Sequence, residues 1–207
     1  MPQVENWYVL KTLEKREKEA ADLLMRVVDR SLWSECRVLQ KKKVFRTRGE
    51  LYLVEDILFP GYLLIKTETP ARLTRELQKS RQFPQMIRLN CKKNQSILVE
   101  RTMQNEENEE MENNDDFVMV DTRDMIFLQN ICGRQLQKTM GVTEIFLDEN
   151  NQIVRADGIL QKYLDRVVKL NLHKRFAIVE IPLFNRVQSI LFGIRLSQDK
   201  VIYMGKE

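Results

Sequence analysis

Leu58-Phe59-Pro60-Gly61-Tyr62-Leu63-Leu64-Ile65 is the stretch on which the reading of this chain turns. It is apolar enough to be a buried strand, yet Pro60-Gly61 interrupts it. Proline removes a backbone donor and glycine admits positive φ, so the strand is expected to kink or turn at that point. Such a kink would give Phe59 and Tyr62 a fixed presentation.

Upstream, Trp7-Tyr8-Val9-Leu10-Lys11-Thr12 is aromatic and β-branched, the composition of a buried strand. Glu14 to Arg30 reads as a helix capped by Thr12. Ala20, Leu24, Val27 and Val28 fall on its apolar face, with Glu14, Lys15, Glu17, Lys18 and Asp22 largely opposite. A second strand around Cys36-Arg37-Val38-Leu39 runs into the basic stretch Lys41 to Gly49, and Leu51 to Val54 continues as strand. Downstream of the kink, Thr69-Pro70 opens a helix through Leu73 and Leu77 towards Ser80, and Phe83 to Leu89 reads as strand. The order strand, helix, strand, strand, helix, strand describes an antiparallel sheet with flanking helices, an α+β architecture.

Charge divides the chain further. Residues 100–116 carry eight acids against Arg101, a net −7, so the remainder of a chain whose total is +4 holds +11. This Asn-rich segment has no core-forming periodicity and reads as an acidic loop. Folded parts this basic are expected beside nucleic acid. Asp121 to Leu136 is helical in pattern, with Met125, Leu128, Ile131 and Cys132 on one side, a cap at Asp121 or Thr122, and Gly141 just beyond its end. From Glu144 onwards short strands follow one another: Ile145-Phe146-Leu147, Ile153-Val154, Val167 to Leu170, Phe176 to Ile181, Val187 to Leu196 and Val201 to Tyr203. Their density suggests a small β-barrel. The expected division is 1–138 for the first domain with its acidic loop, 139–150 for a linker, and 151–207 for the barrel.

The 207 residues are 43% hydrophobic and 31% charged, enough apolar material for real cores under a charged surface. The run Trp7 to Leu10 is too short for a signal peptide, and no segment approaches the ~20 apolar residues of a membrane span, so a soluble, cytoplasmic protein with no membrane partner is expected. Cys36, Cys91 and Cys132 are widely spaced and read as reduced thiols. The single histidine, His173, lacks a ligand-spaced partner, and neither a Gly-rich phosphate loop nor a nucleophile motif is present. No catalytic residue, metal or cofactor is therefore expected; the chain is read as a non-enzyme.

Taken in order, Trp7-Tyr8-Val9-Leu10, the charged helix, the basic stretch at Lys41 and the Phe59-Pro60-Gly61-Tyr62 kink resemble the N-terminal domain of NusG proteins over roughly the first ninety residues. The tail is similar to that family's SH3-like KOW barrel, best over Val167 to Phe192. Asn171-Leu172-His173-Lys174-Arg175-Phe176 and Pro182-Leu183-Phe184-Asn185-Arg186 are closest to the LoaP-type specialised paralogues. It departs from a usual KOW motif at Ala156-Asp157-Gly158-Ile159-Leu160, where a glycine-rich opening would stand, and at the acidic insertion. The resemblance implies a regulator that binds the clamp helices of RNA polymerase and promotes processive elongation or antitermination on specific operons. It assigns polymerase contact to Phe59, Pro60, Gly61 and Tyr62, with Trp7 and Tyr8 lining or supporting the same pocket. Lys41, Lys42, Lys43, Arg46 and Arg48 match in position a loop that can approach upstream DNA, with Phe45 able to stack on a base. His173, Lys174 and Arg175 form a turn that could touch nascent RNA, the ribosome or another factor. An RNA-binding or ribosome-linked SH3-like module acting without polymerase is the alternative reading.

Overall fold

The computed structural model describes residues 6–89 and 117–203; the acidic stretch 100–116 and Cys91 lie outside them. Strand β1 (Asn6–Lys11) sits inside a four-stranded sheet of order β2-β5-β1-β6, with β2 Glu35–Arg37, β5 Tyr62–Thr67 and β6 Gln85–Met86. It runs antiparallel to β5, pairing Tyr8 with Ile65, Val9 with Leu64 and Leu10 with Leu63. Alternation along these strands then decides which side chain goes where. Tyr8, Leu10, Leu63 and Ile65 enter one core with Ala20 and Leu24 of α1 (Glu17–Val27) and Leu73 and Leu77 of α2 (Pro70–Gln78). Val9 and Leu64 face the other way, into a second core shared with the rest of the chain.

Helix α1 is shorter than its sequence pattern suggests. Lys15 is left-handed (φ 68°), Arg16 offers no side-chain cap, and the Thr12 amide bonds Gly61 O at 2.9 Å instead of starting the helix. The helix is also turned relative to expectation: Glu17 is buried and Val27 is exposed. Glu17 can be inside because its carboxylate has backbone partners there, which a helical wheel does not reveal. The strand expected over Phe83 to Leu89 contracts to β6, and Ile87 hydrogen-bonds both Val9 and Val118 through its backbone.

The basic stretch is itself strand. Residues Gln40–Thr47 (β3) and Glu50–Ile57 (β4) form a hairpin closed by Arg48-Gly49, both left-handed (φ 49° and 84°) as a two-residue turn of this type requires. Helix α3 (Thr122–Cys132) starts as read from the sequence, with Asp121 Oδ1 accepting from the Asp124 amide at 2.7 Å. It stops at Gly133 (φ 77°), short of Leu136 and Gly141.

Every strand expected in the tail is present: β7 Thr143–Leu147, β8 Ile153–Ala156, β9 Val167–Asn171, β10 Phe176–Leu183, β11 Arg186–Arg195 and β12 Val201–Tyr203, with a 3-10 segment at Gly158–Arg166. Their arrangement differs from a free-standing barrel. Five of them form a half-barrel sheet of order β8-β7-β11-β10-β9, and β12 leaves it to pair in parallel with β4. Strand β7 lies within the stretch expected as linker. The inner face of β10 and β11 (Ala177, Val179, Ile181, Ile190, Phe192 and Ile194) is closed over by Leu58, Phe59 and α3, so one core runs through both halves.

The two halves approach closely at Gly193. A Cβ built there would lie 2.6 Å from Lys42 O and 3.0 Å from Lys43 Cα, so only glycine lets β11 cross β3 at this distance. Gly193→Ala should destabilise the protein by about 2 kcal/mol in urea unfolding, because the obstacle is backbone. Gly141→Ala, where nothing lies within 4 Å, should change it by less than about 0.5 kcal/mol.

Candidate functional site

The Pro60-Gly61 kink is built from both sides. Gly61 takes φ +80°, and the Tyr62 amide bonds Phe59 O at 3.1 Å to close the turn. Beneath it, Glu17 Oε1 accepts from the Gly61 amide at 2.6 Å and from the Lys15 amide at 3.1 Å. One carboxylate thus satisfies the start of α1 and the apex of the kink, while the Thr12 amide holds the Gly61 carbonyl. Glu17 is the residue that sequence reasoning missed. The only signal for it was an acid at the first turn of a helix, which usually means solvent.

The six residues assigned to partner contact do not share one surface. Pro60 is exposed, and Gly61 is buried. Tyr8 is buried in the core beneath α1 and α2, whereas Trp7 is half-buried at the edge of the other core, as strand alternation requires. Phe59 is 6% exposed. Its ring meets Phe184 edge-on at 5.4 Å between centroids. Tyr62 is half-buried, with the Arg186 guanidinium over its ring at 4.8 Å and an Arg186 Nη2–Tyr62 OH hydrogen bond. The kink is therefore occupied from within the chain by the tight β10–β11 turn, Phe184-Asn185, both left-handed.

Asp124 holds that turn in place. It is buried on α3, and its Oδ2 accepts from the Phe184 amide at 2.7 Å. Burial raises its carboxyl above the ordinary 3.8, with Asp121 adding to the effect and the Phe184 hydrogen bond and Arg123 opposing it.

The basic residues separate in the same way. Lys41 is buried, and burial lowers its ammonium from the ordinary value against the pull of Asp56. Lys42 and Lys43 are half-buried, and Lys43 Nζ pairs with Asp56 Oδ2 at 2.7 Å. Arg46 and Arg48 are exposed at the hairpin tip beside Phe45, which is 54% exposed. At the β9–β10 turn, His173 and Lys174 are exposed. Arg175 instead points inward, with Nη2 and Nε bonding Asp199 at 2.6 and 2.7 Å and Nη1 bonding Leu172 O. Burial would raise the Asp199 carboxyl, but the Arg175 and Leu196 hydrogen bonds outweigh it and hold the group below its ordinary value. Burial pushes the Cys36 and Cys132 thiols up to about 12, so neither is a reactive thiolate.

What the described residues bring together is an α+β protein organised around a kinked aromatic strand end, with basic side chains on a neighbouring hairpin tip. Residues 5–105, just under half of the chain, match the family model NusG, described as transcription termination factor nusG. The matched span holds β1 through β6 and the whole kink. No curated protein matches the sequence. Among the described residues, no helix is long and apolar enough to cross a membrane.

Two measurements follow from these contacts. With a folded-state carboxyl above 3.8, Asp124 favours the fold most below that pH and loses its contribution as pH rises through the raised value. Asp124→Asn keeps an acceptor for the Phe184 amide, so its stability relative to wild type should increase between about pH 4 and pH 7 in paired urea titrations. Arg175→Ala strands a nearly buried Asp199 and should cost about 3 kcal/mol in the same assay.

Proposed function

We propose that this protein is a transcription elongation regulator that engages RNA polymerase through its first sheet and promotes processive elongation or antitermination. The observation that carries the reading is the NusG match over residues 5–105, which spans β1, α1 and the Phe59–Tyr62 kink. The polymerase element that the resemblance implies is the pair of clamp helices. A helical partner needs apolar and aromatic area that can receive its side chains. Trp7 and Tyr62, half-buried at the rim of the shared core, offer such area, and Phe59 lies directly behind Tyr62's turn.

In the described arrangement Phe184 and Arg186 occupy this face. Engagement of Phe59 thus requires the β10–β11 turn to lift, and the apparent affinity is lowered by the fraction of molecules that remain closed. The exposed Arg46, Arg48 and Phe45 at the hairpin tip suit sequence-independent contact with upstream DNA, which weakens with salt. His173 and Lys174 remain available to nascent RNA or another factor. Action on particular operons, in the manner of the LoaP-type paralogues, is the finer part of the proposal and rests on the likeness of the Asn171–Arg186 region.

Binding to core polymerase tests the reading. Arg186→Ala, at an exposed position, removes the cover over the Tyr62 ring and should tighten binding severalfold. Adding Tyr62→Ala in that background should remove the gain. Phe59→Ala is the poorer probe, since emptying a buried phenylalanine site costs about 3–5 kcal/mol of stability by itself. Absence of polymerase binding by both the wild type and the opened variant would sink the proposal.

A further inference from the structure

A groove of about 700 Å³ runs between α3, the 3-10 segment Gly158–Arg166 and the end of β10. Its accessible apolar surface comes from all three elements, including Ile126, Ile159 and Pro182. Ile126 is 56% exposed on the outer face of α3, among Thr122, Arg123, Gln129 and Asn130. Around this surface stand Arg123, Lys162 and Arg166, and every other lining side chain is apolar or neutral. None of the three cations lies within ion-pair distance of a carboxylate among the described residues.

We infer that this groove binds an acidic peptide segment of a partner protein, with two or so apolar side chains seated on the isoleucines and carboxylates paired to Arg123, Lys162 and Arg166. The chemistry selects the occupant. An aliphatic floor rewards apolar side chains, which a nucleic-acid backbone lacks, and a rim of three cations without an ion-pair partner among the described residues rewards acids and penalises basic peptides. The volume falls in the range of sites that seat a few side chains. This is a surface distinct from the Phe59–Tyr62 face and does not depend on polymerase binding. It has a consequence for that face, however. One wall belongs to α3 and the other to the C-terminal half, so the groove exists only while the halves are packed, and an occupant stabilises the packed arrangement by mass action.

The full chain, labelled at its isoleucine methyls, can be titrated with a synthetic helical peptide of about 15 residues bearing leucines at i, i+3 and i+7 among glutamates. The expected result is selective shifts of Ile126 and Ile159, with affinity falling at least tenfold between about 0.05 and 0.5 M salt. Lys162→Glu with Arg166→Glu, both at exposed positions, should weaken binding at least tenfold while leaving the unfolding midpoint unchanged. Ile126→Asn should do the same without touching charge. Shifts that map elsewhere, or equal binding of the peptide with glutamine for glutamate, overturn the inference. So does displacement of the peptide by a single-stranded RNA oligonucleotide. Failure of the intact chain to bind, with binding appearing once residues 100–116 are removed, would assign the groove to the chain's own acidic segment and overturn the partner reading.

Discussion

The Glu17 carboxylate beneath the Pro60-Gly61 kink is the constraint from which the rest of the structure follows. It accepts from the Gly61 and Lys15 amides and so ties the entry of α1 to the entry of β5. Stranding the buried Gly61 amide would cost about 1–3 kcal/mol. The geometric effect matters more than the energy. With Gly61 pinned in a left-handed conformation, β5 begins at Tyr62 in the register that pairs Leu63 with Leu10, and Phe59 turns inward. A different start to β5 by one residue would send Leu63 and Ile65 to the opposite face of the sheet.

An inward Phe59 needs something to pack against, and the tail supplies it. Phe184 meets its ring, Arg186 covers Tyr62, and Asp124 fixes the turn that carries both. These contacts join two sets of strands that by sequence pattern alone would each make a separate domain. Their union leaves the strand face with the strongest family likeness covered by the same chain. It also creates, at the seam, a groove that neither half forms alone.

Much of this was legible in the sequence. The strand–helix order, the positive φ at Gly61, the Asp121 cap and each tail strand follow from local pattern, because each depends on nearby residues. What the sequence concealed were partnerships at long range. Nothing near Glu17 announces that its acceptor is needed forty-four residues later. Arg175 reads as part of a basic turn until Asp199 is brought beside it. Trp7 and Tyr8 were placed at one pocket by the likeness to a family, yet adjacent strand residues face opposite sides, and the structure divides them accordingly. The tail was read correctly strand by strand, while the destination of β12 depended on an edge that only the folded first half presents.

That destination shapes the order of events during synthesis. Strand β4 exposes an unpaired edge as soon as the β3–β4 hairpin forms, and its partner residues 201–203 emerge about 150 residues after Leu51–Leu53. At ribosomal rates of about 5–20 residues per second, the edge stays open for roughly ten seconds or more. Throughout that interval Leu51 and Leu53 line a strand that any extended chain could extend. The short parallel pairing of β12 is thus a late seal, and a nascent chain that stalls before it leaves the ribosome with its hairpin still adhesive.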